Sequence, residues 1–378
     1  PHMDFSRGGW WIIDDTGFPK KGVHSVGVGR QYCGMLGKQD KCQVAVSVSL
    51  ACDQGSIPVA WQLYLPQDWA QDAERRKRTG VPESVRFATK TQIALHQLRT
   101  LLSEGAPRHC VLADAGYGVD TAFRQALSDM GLHYAVGVTS AVVVWPPGVE
   151  PLPPETYSGK GRPPVTPRRT AQLQPMSVKA LALSLPAQAF QTISWREGTN
   201  APLTGRFAAV RVRHAGGNAG KASLRPQEWL LIEWPVEQAE PVKYILSTLP
   251  ESTPLNDLVS CAYQRWRIER DYQDLKQDFG LGHYEGRGWR GFHHHASLSI
   301  ATYAFLMSER LIADKPAGGK KNFIERQVPA VPQDYIPRGR PARTAARGQL
   351  DHKLASSAEL RTHRPSGTVP LLRPHQRE

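Results

Sequence analysis

The chain has 378 residues, with 47 lysines and arginines against 34 aspartates and glutamates, which gives a formal net charge of +13 at pH 7. Its 40% hydrophobic content excludes a wholly disordered protein, and its length suffices for one large or two ordinary domains. The excess of positive charge favours a polyanionic partner, nucleic acid above all.

Several other classes of protein are disfavoured by what the sequence lacks. No run reaches the roughly 18 uncharged apolar residues of a membrane-spanning helix, and no basic-then-apolar leader opens the chain, so we expect a soluble protein that is not secreted. The five cysteines form no C-x-x-C pair, which argues against a zinc ribbon and against a disulfide scaffold.

The first part of the chain alternates strand and helix patterns. Residues 1–8 resemble a cloning scar or an arbitrary start, and a first strand so early suggests a further domain upstream. Strands are predicted at 9–14, 43–50, 57–65, 109–114 and 133–139, with a turn at 53–55, helices at 89–103 and 120–130, and a charged loop at 68–83. This order predicts a mixed α/β sheet over residues 9–139.

The composition changes after residue 139. Prolines cluster at 146–167, and strand-like runs at 206–213, 229–234 and 243–249 predict a β-rich insertion over 140–250. Helical patterns return at 254–279 and 293–312, so residues 251–312 form a helical part. Residues 313–378 hold 13 Lys and Arg against 6 Asp and Glu and are expected to form a disordered tail that binds nucleic acid without reading its sequence.

Two aspartates follow the strand patterns. Asp14 ends the first predicted strand, and Asp114 ends HCVLAD. If these strands are parallel neighbours, both carboxylates project at the same edge of the sheet, where they would repel unless a hard cation such as Mg²⁺ or Mn²⁺ joined them. The alternative is that both are ordinary turn formers. Asp15 should point away from Asp14 and cap the turn that follows.

A third group of charged residues lies in the helical segment CAYQRWRIERDYQDLKQDFGLGHYEG. Arg265, Glu269 and Lys276 stand at i, i+4 and i+11, which returns close to one helix face. Such a face offers a metal ligand beside two cations that can bind phosphate. A solvated, salt-bridged surface is the alternative.

Three separated motifs, IIDDTGFPKKG, VLADAGYG and RWRIERDYQDLKQDFGLGHYEGR, resemble DDE transposases of bacterial insertion sequences. The closest resemblance is to the group with a β-rich insertion and a Tyr-Arg-Glu-Lys signature, and it covers residues 9 to about 312. It implies a ribonuclease-H-like α/β fold in which Asp14, Asp114 and Glu269 are catalytic and bind two Mg²⁺ ions, with Mn²⁺ as an alternative.

The same resemblance assigns residues to DNA. Arg265 and Lys276 match the signature and would bind phosphates beside the scissile bond. The signature tyrosine falls on Ala262, so Tyr263, one residue later, is the candidate for that role.

The implied activity is cleavage of double-stranded DNA at transposon ends and strand transfer by two-metal phosphoryl transfer, performed by a homo-oligomer in the bacterial cytoplasm, at the nucleoid and not at a membrane. Three alternatives stay open: a catalytically inactive DNA-binding remnant, a metal-dependent nuclease that cuts without joining, and a two-carboxylate hydrolase of small molecules.

Three further sets of residues are ambiguous. Basic residues after the first strand could grip DNA or form a solvated loop: Lys20, Lys21, Arg30 and Lys38. His293, His294 and His295 are consecutive, so on a helix they point about 100° apart and do not form a metal site. Trp195, Trp229 and Trp234 could stack on an unpaired base, although core packing is favoured.

Overall fold

The computed structural model describes residues 3, 8–161, 167, 170, 173–196, 203–215 and 225–313. The predicted tail lies outside these residues, except for Ala313, which ends the last helix. In the described part of the chain, no helix is long and apolar enough to cross a membrane.

Strands and helices alternate over the first 138 residues, as the sequence patterns predict. The described strands are β1 (Trp10–Pro19), β2 (Gly29–Cys33), β3 (Lys38–Cys52), β4 (Gly55–Leu63), β5 (Cys110–Ala113), β6 (Tyr134–Val138), β7 (Val143–Trp145), β8 (Met176–Ser177), β9 (Gln191–Arg196), β10 (Leu203–His214), β11 (Glu228–Glu233) and β12 (Lys243–Ser247). The described α-helices are α1 (Gln67–Gln71), α2 (Ala73–Thr79), α3 (Lys90–Ser103), α4 (Ala115–Gly118), α5 (Thr121–Asp129), α6 (Val178–Ser184), α7 (Leu255–Tyr263), α8 (Trp266–Gln277) and α9 (Trp289–Ala313).

One large mixed sheet joins the described strands in the order β2-β3-β1-β5-β6-β12-β11-β10-β7-β8, with β4 paired to β3 and β9 paired to β10. β1 is antiparallel to β3 but parallel to β5, and β5 is parallel to β6. The prediction of a mixed α/β sheet with flanking helices is therefore confirmed. From β6 the sheet continues through β12, which is antiparallel to it, into β11 and β10.

Alternation along the central strands directs apolar side chains to both faces of the sheet. Trp11 and Ile13 of β1 belong to a buried cluster with residues of α3 and α5, such as Leu98 and Phe123. Ile12, between them, belongs to a second cluster, with residues of α7 and α8. The central strands are thus covered by helices on both sides, which accounts for their nearly continuous apolar composition.

Two local predictions are wrong. Residues 68–83 form no loop but contain α1 and α2, because Trp69 is buried, donates a hydrogen bond from Nε1 to the Val28 carbonyl (2.7 Å) and is covered by the Arg75 guanidinium. β1 does not end at Asp14, because its pairing with β3 continues to Pro19. Asp15 consequently lies within the strand and caps no turn.

Helix α8 is fixed to the rest of the fold by polar contacts as well as by apolar ones. The buried Asp271 accepts hydrogen bonds from Ser56 Oγ (2.6 Å) in β4 and from Tyr303 OH (3.0 Å) in α9. The Tyr272 hydroxyl is hydrogen-bonded to Ser47 Oγ (2.8 Å) in β3. These contacts set the rotation of α8 against the sheet.

Candidate active site

Three carboxylates from distant parts of the chain line one cavity of about 840 Å³: Asp14, Asp114 and Glu269. The parallel pairing of β1 and β5 explains the first two. It matches Ile12 with Leu112, and the same register continued by two residues brings Asp14 opposite Asp114. Glu269 reaches the cavity from α8, which packs against β1 and β4.

Asp14 is held between a hydrogen-bond donor and a cation. Its Oδ1 accepts from the backbone N–H of Asp15 (2.8 Å), and its Oδ2 lies 3.0 Å from Arg265 Nη1. Burial raises the pKa of Asp14 from its ordinary value of 3.8 to about 7; Arg265 opposes this change and the charge of Asp114 adds to it. Asp14 is therefore a carboxyl group whose charge the fold disfavours.

Asp114 begins the short helix α4, and its Oδ1 accepts a hydrogen bond from the Gly116 N–H (2.9 Å). Two glycines allow this turn to lie directly on β6. A Cβ atom at Gly118 would come within 2.0 Å of the Gly137 carbonyl oxygen, and one at Gly137 within 2.9 Å of the Ala115 nitrogen. The position of Asp114 thus depends on close backbone contact between α4 and β6.

We expect Gly118→Ala to destabilise the protein, since an added methyl group must push α4 away from β6. A loss of about 2 kcal/mol in the free energy of unfolding is typical of overpacking at a rigid contact. Urea denaturation would measure it, with Gly22→Ala as the matched control, because a Cβ at Gly22 meets nothing within 4 Å. Equal stability of both variants would contradict the prediction.

Arg265 joins two of the carboxylates. Its Nη1 contacts Asp14, while its Nη2 contacts Glu269 Oε1 at 2.6 Å. The Arg265 side chain is only 29% exposed, so the alternative of a solvated, salt-bridged helix surface does not describe it. Glu269 is 59% exposed and projects into the cavity mouth.

Lys276 lies about two turns beyond Glu269 on the same face of α8. Its Nζ donates a hydrogen bond to the Gly17 carbonyl (2.9 Å) and lies 4.9 Å from the centre of the Phe18 ring. Burial lowers the pKa of Lys276. Arg265, Glu269 and Lys276 all line the cavity, so the structure brings the three residues of the predicted face together.

Tyr263 lies apart from this cavity. Its ring packs against Trp195 and Phe207, and its hydroxyl donates a 2.5 Å hydrogen bond to Glu233 Oε2. Burial, followed by the nearby Glu233 charge, raises the pKa of Tyr263. The residue lines a second cavity of about 380 Å³, which Asp114 and Glu269 also border.

Two cavity residues were missed by the sequence reasoning. Lys90 Nζ lies 2.9 Å from Asp15 Oδ1, and the Tyr117 hydroxyl lies 3.3 Å from Asp15 Oδ2. Asp15 borders the same cavity as Asp14. Its contacts lie on the α3 side of the sheet, whereas Asp14 contacts Arg265 on the α8 side, so the two side chains point apart as strand alternation predicts. Lys90 is the first residue of α3, where a cation is unfavourable with respect to the helix dipole, and this misplacement is a signal of a specific partner.

Several of the residues whose role was ambiguous in the sequence have partners within the protein. Lys20 Nζ donates to the Tyr284 carbonyl (2.5 Å), and Lys38 pairs with Asp40 (3.5 Å). His293 Nε2 accepts from the Leu63 N–H, while His295 contacts the Gly280 carbonyl, so the two rings serve different elements. Two of the tryptophans pack on core aromatic residues: Trp195 on Phe207 and Trp234 on Phe190.

A divalent cation is chemically compatible with this cavity, although the Arg265 guanidinium already supplies a positive charge to Asp14 and Glu269. In the described residues, no three His, Cys, Asp or Glu side chains are grouped as ligands of one ion. The cavity nevertheless offers the hard carboxylate oxygens of Asp14, Asp114 and Glu269, and Asp114 disfavours ionisation of Asp14. Such a donor set suits Mg²⁺ or Mn²⁺, provided that Arg265 leaves the carboxylates.

Comparison with known proteins identifies the family of the chain. A family model described as "DDE superfamily endonuclease" matches residues 2–202, which is more than half of the chain. The chain belongs to this family. The match includes Asp14 and Asp114 but ends before Glu269. Members of the DDE superfamily endonucleases typically use divalent metals.

Two individual proteins are also similar. The chain is 34% identical over 130 residues to a "probable transposase for insertion sequence element IS701" of Microchaete diplosiphon; the aligned part spans 34% of this DDE superfamily endonuclease and 31% of that relative. The solved structure of the NurA nuclease from Sulfolobus solfataricus aligns with 81% of this chain and 85% of the nuclease chain, with 7% sequence identity. The TM-score is 0.27, a value at which two chains need not share a fold.

Proposed function

We propose that this DDE superfamily endonuclease is the catalytic part of a transposase, which cleaves DNA at transposon ends and joins the ends to target DNA. The observation that carries the proposal is the shared cavity of Asp14, Asp114 and Glu269, bordered by Arg265 and Lys276. These are the residue types that phosphoryl transfer requires: metal-binding carboxylates beside cations that can bind phosphate.

The core of the fold is proposed to be ribonuclease-H-like, with residues 140–250 as a β-rich insertion. The strand order β4-β3-β1-β5-β6, in which the first three strands are antiparallel and the last two are parallel to β1, supports this assignment. The proposed insertion enters after β6 and ends before α7, so the carboxylate of α8 follows it in sequence while lying beside Asp14 and Asp114 in space.

Asp14, Asp114 and Glu269 are proposed to hold two Mg²⁺ ions, with Mn²⁺ as an alternative. When bound, these ions would activate water or a DNA 3′-hydroxyl and stabilise the leaving oxygen. The chain itself then has two tasks. Asp14 must lose its proton, and Arg265 must release Asp14 and Glu269, which leaves its planar guanidinium for a bidentate contact with phosphate.

The proposed partner is double-stranded DNA, bound by a homo-oligomer on paired transposon ends at the bacterial nucleoid. The net charge of +13 supports a polyanionic partner. Lys276 would hold a phosphate about two helix turns from Glu269. Its Nζ now contacts a backbone carbonyl, a neutral acceptor that a phosphate oxygen can replace at little loss.

Cleavage of labelled DNA that carries the ends of the encoding element tests the proposal. We expect the wild type to cut in Mg²⁺ and not in EDTA, and Asp114→Ala to bind the DNA without cutting it, because it removes a proposed metal ligand together with the cap of α4. A further assay with unlabelled target DNA would detect joining of the cut ends.

Each outcome separates one alternative. Metal-dependent cutting without joining indicates a nuclease, and DNA binding without cutting by the wild type indicates an inactive remnant. Full cutting activity in Asp114→Ala would contradict the assignment of the site.

A further inference from the structure

The turn end of the hairpin formed by β2 and β3 borders the carboxylate cavity. Its strands pair from Gly29 opposite Cys42 to Cys33 opposite Lys38, and a short turn at Gly34–Leu36 closes it. Three residues near this turn line the cavity together with Asp14 and Glu269: Tyr32, Gly34 and Met35. We call residues 32–36 the hairpin tip.

The hairpin tip exposes apolar groups although its base is firmly packed. Tyr32 is 60% exposed, Met35 58% and Leu36 41%. Behind them, Cys33 is fully buried, and the Gln31 amide donates hydrogen bonds to the Gly27 and Cys42 carbonyls. A fixed base that holds large apolar side chains in solvent is typical of a surface that another molecule covers.

The charge around Tyr32 indicates what kind of molecule this is. Arg30 pairs with Lys41 across the hairpin and lies two residues before Tyr32, so all three side chains share one face of the ribbon. An exposed aromatic ring with cations beside it on the same face is an arrangement by which proteins bind unpaired nucleotides, since the ring can stack on the base while the cations meet the phosphates.

We propose that Tyr32 stacks on an unpaired DNA base next to the phosphate that occupies the carboxylate cavity. The inference rests on the proposed function, which brings DNA to this cavity. An unpaired base is favoured over intact duplex because only an unstacked base exposes its flat face to a side chain. The hairpin tip is continuous with the cavity, so a base held there would fix the adjoining backbone relative to Asp14 and Glu269.

A binding experiment with the full chain tests this proposal without cleavage. The probe is a short duplex with a single-stranded 3′ extension whose first unpaired base is 2-aminopurine, in Ca²⁺ so that no strand is cut. We expect wild type and Tyr32→Phe to quench its fluorescence, and Tyr32→Ala to lose the quenching and about tenfold in affinity. Affinity for the fully paired duplex should be unchanged. Tyr157→Ala, which removes another exposed tyrosine, is the matched control.

The proposal would be overturned if Tyr32→Ala quenched like the wild type, or if it weakened binding of both DNAs equally while its circular dichroism spectrum stayed native. A wild type that does not distinguish the two DNAs would overturn it as well. The cleavage assay tests the proposed function separately. Metal-dependent cutting, together with unchanged quenching in Tyr32→Ala, would contradict only the stacking inference. Quenching that depends on Tyr32, in a protein that does not cut, would contradict only the catalytic assignment.

Discussion

Glu269→Gln is expected to lower the rate of DNA cleavage by at least about a thousandfold, because the proposed metal ligand would contribute several kcal/mol to phosphoryl transfer and the amide cannot replace its charge. The substitution keeps the size of the side chain, and Glu269 is well exposed, so stability should change little. Binding of DNA in EDTA should be retained or slightly tighter, since one negative charge is removed from the cavity. Single-turnover cleavage and a titration in EDTA measure the two quantities.

Asp15→Asn is the informative companion to this variant. Asp15 lines the same cavity but is committed to Lys90 and Tyr117. We therefore expect it to retain cleavage within about tenfold of the wild type, the effect of losing one positioning contact. The opposite result, an active Glu269→Gln and an inactive Asp15→Asn, would show that Asp15 is the third ligand and that the motif on α8 has another role.

Asp14→Asn is expected to stabilise the metal-free protein, and more so at high pH. The raised pKa of Asp14 means that the folded chain keeps a proton that the unfolded chain releases above its ordinary pKa of 3.8. The wild-type free energy of unfolding therefore falls as the pH rises from about 4 to about 7, and the amide variant lacks this fall. The gain over wild type should be about 2 kcal/mol larger at pH 8 than at pH 5.

Urea denaturation in EDTA at the two pH values measures this difference and cancels any constant effect of the substitution. The control is Asp129→Asn, at an exposed position in α5. Its effect on the free energy of unfolding, relative to the wild type, should differ between the two pH values by less than about 0.5 kcal/mol. Replacing EDTA by Mg²⁺ at pH 8 should stabilise the wild type but not Asp14→Asn, because an ion that binds only the folded state shifts the equilibrium towards it. A gain equal at both pH values would mean that Asp14 is ionised without penalty.

Features of the fold that depend on local sequence patterns were predicted correctly. The predicted helix at 89–103 is α3, which Thr89 and Gln92 begin with a capping box, and the predicted turn at 53–55 connects β3 to β4. Helical spacing predicted that Arg265, Glu269 and Lys276 share one face, and the family resemblance assigned them to a site. The adjacency of Asp14 and Asp114 was expected on condition that their strands are parallel neighbours. These features depend on neighbours in sequence or on one strand pairing.

Features that depend on long-range partners were not predicted. The 68–83 segment is charged, and one buried ring, Trp69, organises its two helices against Val28. The hydroxyl of Tyr263 is occupied by Glu233, thirty residues earlier in the chain. Arg265 contacts Asp14 of β1 in addition to its helix neighbour Glu269, and the contact with Asp14 was not predicted. In each case the partner comes from another element, which no local period or cap reveals.

The polar anchorage of α8 makes the cavity sensitive to changes on the opposite side of that helix. Glu269 and Lys276 share one helix with Asp271 and Tyr272, which are hydrogen-bonded to the sheet and to α9. Because a helix turns as a rigid rod, loosening Asp271 would move Glu269 and Lys276 in concert. Substitutions at Ser56 or Tyr303, both outside the carboxylate cavity, should therefore change the geometry of the proposed catalytic residues from a distance, because they shift Glu269 and Lys276 together.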